Sequence, residues 1–212
     1  MKRRLNACAI VLCLSCLCGL SLAAGNLVSD PGFEVLNPTV WKQGAWQNNP
    51  QAVQISKDSN IFHSGTAALK IANLKGNDSS VTQSVVVKAN RVYRVSGWIE
   101  TAKVRGTQNL AEKDVLGASI GLGGAWIHSP GLKGTQPWTS VTFLIKTGTA
   151  QTTLPVSCRL GYWGNTVKGV AWFDDISVEA VQPPAGQNIP VYGAMASPAK
   201  AHSSKKKKLP VN

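Results

Sequence analysis

The chain has 212 residues, which is long enough for one domain with a buried core and for an extension at each end. Its formal net charge is +12, but eight of the 22 basic residues lie near the ends, at Lys2, Arg3, Arg4, Lys200 and Lys205–Lys208. The central part therefore carries only +4, and its basic residues do not interleave with aromatic ones, so we predict no nucleic-acid partner.

The first predicted element is a cleaved signal peptide over residues 1–24. Three basic residues are followed by a short apolar run and by the small residues Ser21, Ala23 and Ala24, which is the order of a secretory signal. The sequence thus predicts a protein that is secreted or held in the periplasm or cell envelope. The apolar run is short, which makes a retained membrane anchor the weaker alternative, and no later segment is predicted to span a bilayer.

Cysteine usage points away from a disulfide-stabilised fold. Four of the five cysteines lie within residues 1–24, so Cys158 alone remains for the domain and no disulfide framework is predicted. Cys158 lies in a strand-like pattern and is predicted to be a small core residue. Lipid attachment at Cys16 or Cys18 stays open as an alternative to simple cleavage, although neither is preceded by the usual leucine and small residues.

Residues 25–181 have the periodicity of β-strands. Runs of alternating or β-branched residues at 81–87, 93–99, 140–146 and 155–160 are separated by turn-forming residues. We find no segment with a convincing helical period. The predicted fold class is therefore all-β, a two-sheet antiparallel β-sandwich formed by residues 25–181.

The last predicted strand, AWFDDISVE at 171–179, contains two adjacent acids. If Trp172, Ile176 and Val178 share one face of a regular strand, Asp174 shares it as well, because side chains alternate with a period of two. A buried carboxylate requires a cation or hydrogen-bond donors. The strand thus poses the question of what stabilises this acid.

Residues 182–212 are rich in Pro, Ala, Gly, Ser and Lys and are predicted to be a disordered tail. Its run Lys205–Lys208 could attract an anionic polymer or lipid head groups, which would make the protein an envelope-associated structural or adhesion module. A solubilising tail without a partner is an equally open interpretation.

The same alternation predicts a sugar-binding cleft on an outer face of the sandwich. Arg94, Trp98 and Glu100 are expected to point outward from one strand and Arg159 from another. Trp126 and Trp163 follow strands, and glycines near Gly121 would form a floor. If these strands are neighbours in one sheet, indoles can stack on the C–H faces of pyranose rings while charged groups pair with hydroxyls.

A set of short motifs carries a family resemblance when taken in order. The motifs are NLVSDPGFE at 26–34, Trp41, HSG at 63–65, ALKI at 68–71, YRVSGW at 93–98, Trp138 and DDI at 174–176. Together they resemble carbohydrate-binding modules of the cellulose- and xylan-binding type, the family 4, 9 and 22 group. The resemblance covers about residues 26–180 and implies a jelly-roll sandwich, while it is much less specific for a ligand.

The resemblance also implies a structural calcium ion at one end of the sandwich. The matching positions are Glu34, the carbonyl of Ser64 or Gly65, and the side chain of Asp174 or Asp175. Oxygen ligands of this kind suit Ca²⁺, which would join the first motif to the last strand. The alternative is that these acids are hydrogen-bonded strand ends without a metal.

The acidic residues offer little for catalysis. The chain has ten Asp and Glu residues, and a glycosidase needs two carboxyl groups that flank one bond. Glu100 is the one natural candidate in the predicted cleft, although a lyase with Tyr162 or His128 as base and Arg159 beside a uronate is conceivable. We therefore predict a monomeric, non-catalytic module that binds a polysaccharide or oligosaccharide, and regard a lyase or hydrolase as less favoured.

Overall fold

The computed structural model describes residues 25–107, 114–183 and 185–193, so the predicted signal peptide and the run Lys205–Lys208 lie outside the described residues. None of the helices in these ranges is long and apolar enough to cross a membrane. The described residues form ten strands: β1 Lys42–Ala45, β2 Val53–Asp58, β3 Ala68–Asn77, β4 Ser79–Val86, β5 Val92–Gly106, β6 Ala118–Leu122, β7 Gly134–Thr147, β8 Thr153–Leu160, β9 Val167–Val181 and β10 Val191–Tyr192.

The strands form two sheets, which confirms the predicted all-β sandwich. The four-stranded sheet has the order β1-β4-β8-β6, and the six-stranded sheet has the order β10-β7-β5-β9-β3-β2. All pairings are antiparallel except β10 with β7. Strand β10 lies within the segment predicted to be a disordered tail, so part of that segment belongs to the sheet. Its Tyr192 hydroxyl donates to Gly123 O at 3.0 Å, which ties the segment to the loop after β6.

Apolar side chains from both sheets fill the space between them. Ile120 and Cys158 on the four-stranded sheet and Val95 and Ile176 on the six-stranded sheet are completely buried in one cluster, so the prediction for Cys158 is confirmed. The sheets approach closely at Gly97, where a Cβ would lie 2.6 Å from Ile120 Cδ1 and 2.7 Å from Ile176 Cδ1. A larger residue at this position would force the layers apart.

A β-bulge changes which faces the residues of β9 occupy. Ser96 pairs with Ser177, but Trp98 pairs with Asp174, so β9 has one more residue than β5 over this interval, and Asp175 has a φ of 49°. Phe173 before the bulge and Ile176 after it both belong to the core cluster. The condition that Trp172 shares a face with Ile176 and Val178 is therefore not met, because the bulge reverses the alternation.

Candidate functional site

The six residues predicted to form one cleft lie on two different sheets. Arg94, Trp98 and Glu100 belong to β5 of the six-stranded sheet, whereas Arg159 belongs to β8 of the four-stranded sheet. Trp126 and Trp163 lie in the loops that follow β6 and β8. The prediction of one shared outer face is wrong for this set, since β5 is not a neighbour of β6 or β8.

On the six-stranded sheet, the indole of Trp98 already has an aromatic partner from the protein. The ring centroid of His63 lies 4.0 Å from that of Trp98 with an interplanar angle of 16°, which is a stacked arrangement. His63 Nδ1 lies 2.7 Å from Asp175 Oδ2, and this contact holds the imidazole in place. One face of Trp98 is thus occupied by His63 and is not open to a sugar ring.

Charged residues elsewhere on this face also pair with one another. Arg94 forms an ion pair of 2.6 Å with Glu179, and hydrogen bonding to Arg94 lowers the pKa of Glu179. Burial alone would raise the pKa of Asp58. Hydrogen bonds from Trp172 Nε1 at 3.0 Å and from Lys70 outweigh it and hold the pKa at about 2. Arg94, Glu179 and Asp58 already have partners within the protein, which argues against a ligand site at these residues.

A group of aromatic side chains at the four-stranded sheet forms a second surface, here called the aromatic cluster: Trp126, His128, Tyr162 and Trp163. The Trp126 ring meets that of Tyr162 edge-on at 4.8 Å, and the Tyr162 and Trp163 centroids are 5.3 Å apart. Tyr162 is buried, whereas Trp126 is 59% exposed and Trp163 is 54% exposed. The indoles of Trp126 and Trp163 are therefore exposed to solvent and pack against the buried ring of Tyr162.

Two tight turns position the aromatic cluster. The chain folds back after β6, where Leu122 N donates to Ile127 O at 2.8 Å and Ser129 N donates to Ile120 O at 2.8 Å. Gly121 permits this approach, because a Cβ there would lie 3.0 Å from His128 Cβ and from Ile127 O. The predicted open glycine floor is thus covered by the returning segment. After β8, Tyr162 and Asn165 exchange backbone hydrogen bonds and close a short turn that presents Trp163.

Asp78 links the aromatic cluster to the neighbouring strands. Its Oδ1 accepts from Arg159 at 2.6 Å, and its Oδ2 accepts from Trp163 N at 2.8 Å. Its backbone carbonyl accepts from Trp46 N at 2.9 Å, and the Trp46 side chain is 71% exposed. Arg159 Cζ in turn lies 4.4 Å from the centroid of Tyr162, a cation–π contact. Through its carboxylate and its backbone carbonyl, Asp78 thereby contacts Trp46, Arg159 and Trp163.

Unpaired polar atoms are concentrated beside this network. Ser119 Oγ, Arg159 Nε and Asn165 Oδ1 are the buried side-chain atoms of residues 25–107, 114–183 and 185–193 that have no hydrogen-bond partner in the protein. Ser119 is the cross-strand partner of Arg159, and Asn165 closes the turn with Tyr162. Burial raises the pKa of Tyr162, with the Arg159 guanidinium opposing the effect, so its hydroxyl remains a hydrogen-bond donor at neutral pH.

Of the acids predicted to bind a metal, Asp174 and Asp175 lie on β9, an interior strand of the six-stranded sheet, and Glu34 lies in the segment before β1. Asp174 is buried and accepts from the amides of His63 at 2.8 Å, Ser64 at 3.0 Å and Asp175 at 2.8 Å. Burial raises the pKa of Asp174, although these hydrogen bonds oppose the effect. The amides are thus the donors that stabilise the acid in this strand.

Glu34 approaches Asp174 across Gly32. A Cβ built on Gly32 would lie 3.3 Å from Asp174 Oδ1 and 3.5 Å from Glu34 Oε1, so the two carboxylates flank one point. Gly65 makes room for Glu34, since a Cβ there would lie 1.9 Å from Glu34 Oε1. Asp175 instead accepts from Ser64 Oγ at 2.7 Å and contacts His63.

The chemistry of this donor set suits a hard cation only in part. Glu34 and Asp174 supply carboxylate oxygens with lone pairs left over, and neighbouring carbonyls are available. In the part of the chain that the structure describes, however, no three His, Cys, Asp or Glu side chains are grouped so that they could hold a metal ion. A cation here would have two carboxylate ligands and would depend on backbone carbonyls and water for the rest.

Comparison by sequence gives remote relatives. No protein-family model matches the chain. The tRNA(Glu)-specific nuclease WapA of Bacillus subtilis subsp. natto is 29% identical over 167 residues, and the match covers 74% of this chain and 7% of that protein. The tRNA nuclease WapA of Bacillus subtilis strain 168 matches with the same identity and coverage. The chain thus spans 7% of the length of the curated relatives it matches.

Comparison by structure also gives remote matches. The enzymatically active domain of tailspike protein 4 from bacteriophage CBA120 has a TM-score of 0.55 at 9% identity, over 74% of this chain and 21% of that chain. TmCBM61 in complex with β-1,4-galactotriose has a TM-score of 0.47 at 22% identity, over 73% and 98%. A family 4 carbohydrate-binding module has a TM-score of 0.49 at 13% identity, over 73% and 99%. Carbohydrate-binding modules are thus among the similar structures, as the sequence resemblance predicted.

Proposed function

We propose that the protein is a secreted, non-catalytic module that binds a polysaccharide or oligosaccharide through the aromatic cluster. The observation that carries this proposal is the coincidence of two exposed indoles, Trp126 and Trp163, with the buried and partly unpaired polar groups of Ser119, Arg159 and Asn165. Exposed aromatic surface of this kind is typical of binding sites. Secretion is inferred from residues 1–24 of the sequence.

The geometry supports recognition rather than bond cleavage. The indoles can cover the C–H faces of sugar rings, while Arg159 Nε and Ser119 Oγ are donors at the base of the cluster that have no hydrogen-bond partner among the described residues. Asp78 is the acid that bonds to this cluster, and both of its carboxylate oxygens accept hydrogen bonds from the protein. Its charge is committed to Arg159, so Asp78 is poorly placed to transfer a proton to a glycosidic oxygen.

Replacing Trp163 or Trp126 with alanine is expected to weaken glycan binding about tenfold each, equivalent to about 1.4 kcal/mol of stacking and burial. A glycan array with the wild-type protein identifies the ligand, and isothermal titration with that ligand measures the loss. Because both indoles are more than half exposed, the thermal unfolding of both variants should stay close to that of the wild type.

The control for this test is Trp98→Phe, which keeps an aromatic ring against His63 on the opposite sheet. It should bind as well as the wild type. Unchanged affinity in both alanine variants together with a loss in Trp98→Phe would place the site on the six-stranded sheet and contradict the assignment. A wild-type protein that binds no glycan on the array would refute the proposed function itself.

We also propose that Ca²⁺ binds between Glu34 and Asp174, with the carbonyl of Ser64 or Gly65 as a further ligand. Bound Ca²⁺ would neutralise two facing carboxylates and join the first motif to β9. At a concentration about 100-fold above its Kd, Ca²⁺ should stabilise the fold by about 2.7 kcal/mol. Differential scanning calorimetry of demetallated protein, with and without Ca²⁺, measures the effect.

Glu34→Gln should remove the calcium-dependent rise in melting temperature, since it removes one of the two charges. Glu179→Gln, which alters an acid paired with Arg94 on the same sheet, should keep it. If demetallated wild-type protein melts at the same temperature in Ca²⁺ and in chelator, the calcium proposal is wrong, while the glycan proposal stands or falls on its own test.

A further inference from the structure

A cavity of about 1100 Å³ opens at the end of the six-stranded sheet where β5 ends and β9 begins. Its lining includes the aliphatic side chains of Leu74, Ala102 and Val170. The volume is at the upper end of the range for small-molecule sites, so it has room for several linked sugar rings rather than for a single ion. It is separate from the aromatic cluster, which lies at the other sheet.

The rim of this cavity is positively charged. Lys103, Arg105, Lys133 and Lys168 line it, and no described lining residue is acidic. Within the described residues, neither Arg105 nor Lys168 forms an ion pair with an acidic side chain. Both side chains are exposed, so they are free to meet a solute.

Arg105 and Lys168 are also direct cross-strand partners in the pairing of β5 with β9. Like charges placed opposite each other on adjacent strands destabilise a sheet. The bulge between Ala102 and Arg105 sets this register, and Gly169 permits it, because a Cβ at Gly169 would lie 2.7 Å from Val104 Cα. The fold thus brings together, beside an aliphatic groove, two cations that have no acidic partner among the described residues, an arrangement that an anionic ligand would stabilise.

We propose that this cavity is a second binding site, specific for an acidic polysaccharide whose sugar rings carry carboxylates. Aliphatic lining residues fit the C–H faces of the rings, while the cations pair with the carboxylates, and the guanidinium of Arg105 can do so bidentately. Single-stranded RNA is the less suitable polyanion, because none of the described lining residues is aromatic and bases bind largely by stacking. The inference extends the proposed function by giving the same module a site for charged glycans.

The test compares binding of polygalacturonate with binding of its methyl ester, which keeps the backbone and removes the charge. Wild-type protein should prefer the unesterified polymer, and the preference should weaken as salt is added. Arg105→Glu should lower the affinity for polygalacturonate about tenfold or more by removing local attraction. The same change places a carboxylate opposite Lys168, so the melting temperature should rise or stay constant, which separates lost binding from lost folding.

Arg91→Glu is the matched control, because it makes the same substitution at an exposed residue just before β5, far from the cavity. It should keep the preference for polygalacturonate. Equal losses in both variants would show that net charge alone attracts the polymer and would overturn the proposal. Equal binding of the two polymers, or tighter binding of a single-stranded RNA, would overturn it too. Arg105→Glu should leave intact the binding of the glycan that the array identifies for the aromatic cluster, so failure at this cavity is distinguishable from failure at the aromatic cluster.

Discussion

Replacing Asp78 with alanine should lower the free energy of unfolding by about 3 kcal/mol, because it leaves a buried cation without its partner. The side chains of Asp78 and Arg159 are only 13% and 11% exposed, and Oδ1 lies 2.6 Å from the guanidinium. Arg159 Nε already has no hydrogen-bond partner among the described residues. Urea unfolding, followed by tryptophan fluorescence and circular dichroism, measures the loss.

Glu179→Ala is the internal control for this prediction. Glu179 forms an ion pair of the same 2.6 Å length with Arg94, but those side chains are 33% and 50% exposed, so the expected loss is below about 1 kcal/mol. The double variant Asp78→Ala with Arg159→Met should recover part of the stability, since it removes the unpaired cation. Equal losses in the two single variants would contradict burial as the cause.

The same substitution should also weaken glycan binding if the aromatic cluster is the site. The carboxylate of Asp78 accepts hydrogen bonds from the backbone amide of Trp163 and from the guanidinium of Arg159. Its backbone carbonyl accepts one from the backbone amide of Trp46. The sequence places Asp78 in a turn between strands and gives no sign of this role. Its partners Arg159 and Trp163 are 81 and 85 residues away, and only the completed sandwich brings them together.

Local alternation in the sequence was sufficient to predict the faces of β5. Val95 and Ile99 are buried, while Arg94 is exposed and Trp98 lies on the outer face, because this stretch is regular. The alternation could not predict which sheet each strand of the proposed cleft belongs to. The local sequence of β5 or β8 does not indicate which strands pair with it, since strand order depends on contacts between distant segments. The segment with β10 was missed for the same reason, as its composition resembles a linker and its pairing with β7 is non-local.

Asp174→Ala is the second change with a large expected effect, about 3 to 5 kcal/mol of unfolding free energy. The side chain is buried, and removing it leaves the amides of His63, Ser64 and Asp175 without their acceptor. The experiment is done in chelator, so that any contribution of calcium is absent. Asp174→Asn, which keeps an acceptor oxygen, should cost less.

The adjacent acid provides the control, because β9 places its two carboxylates in different surroundings. Asp175 is partly exposed and bonds to the side chains of Ser64 and His63, so Asp175→Ala should cost about 1 kcal/mol or less. Burial raises the pKa of Asp174, so its contribution to stability is greatest below the pKa of an unfolded aspartate. That contribution declines as the pH rises through the folded pKa, and Asp174→Asn should remove this slope. Similar losses for the two alanine variants would show that the amide contacts of Asp174 do not hold the 63–65 turn on the sheet.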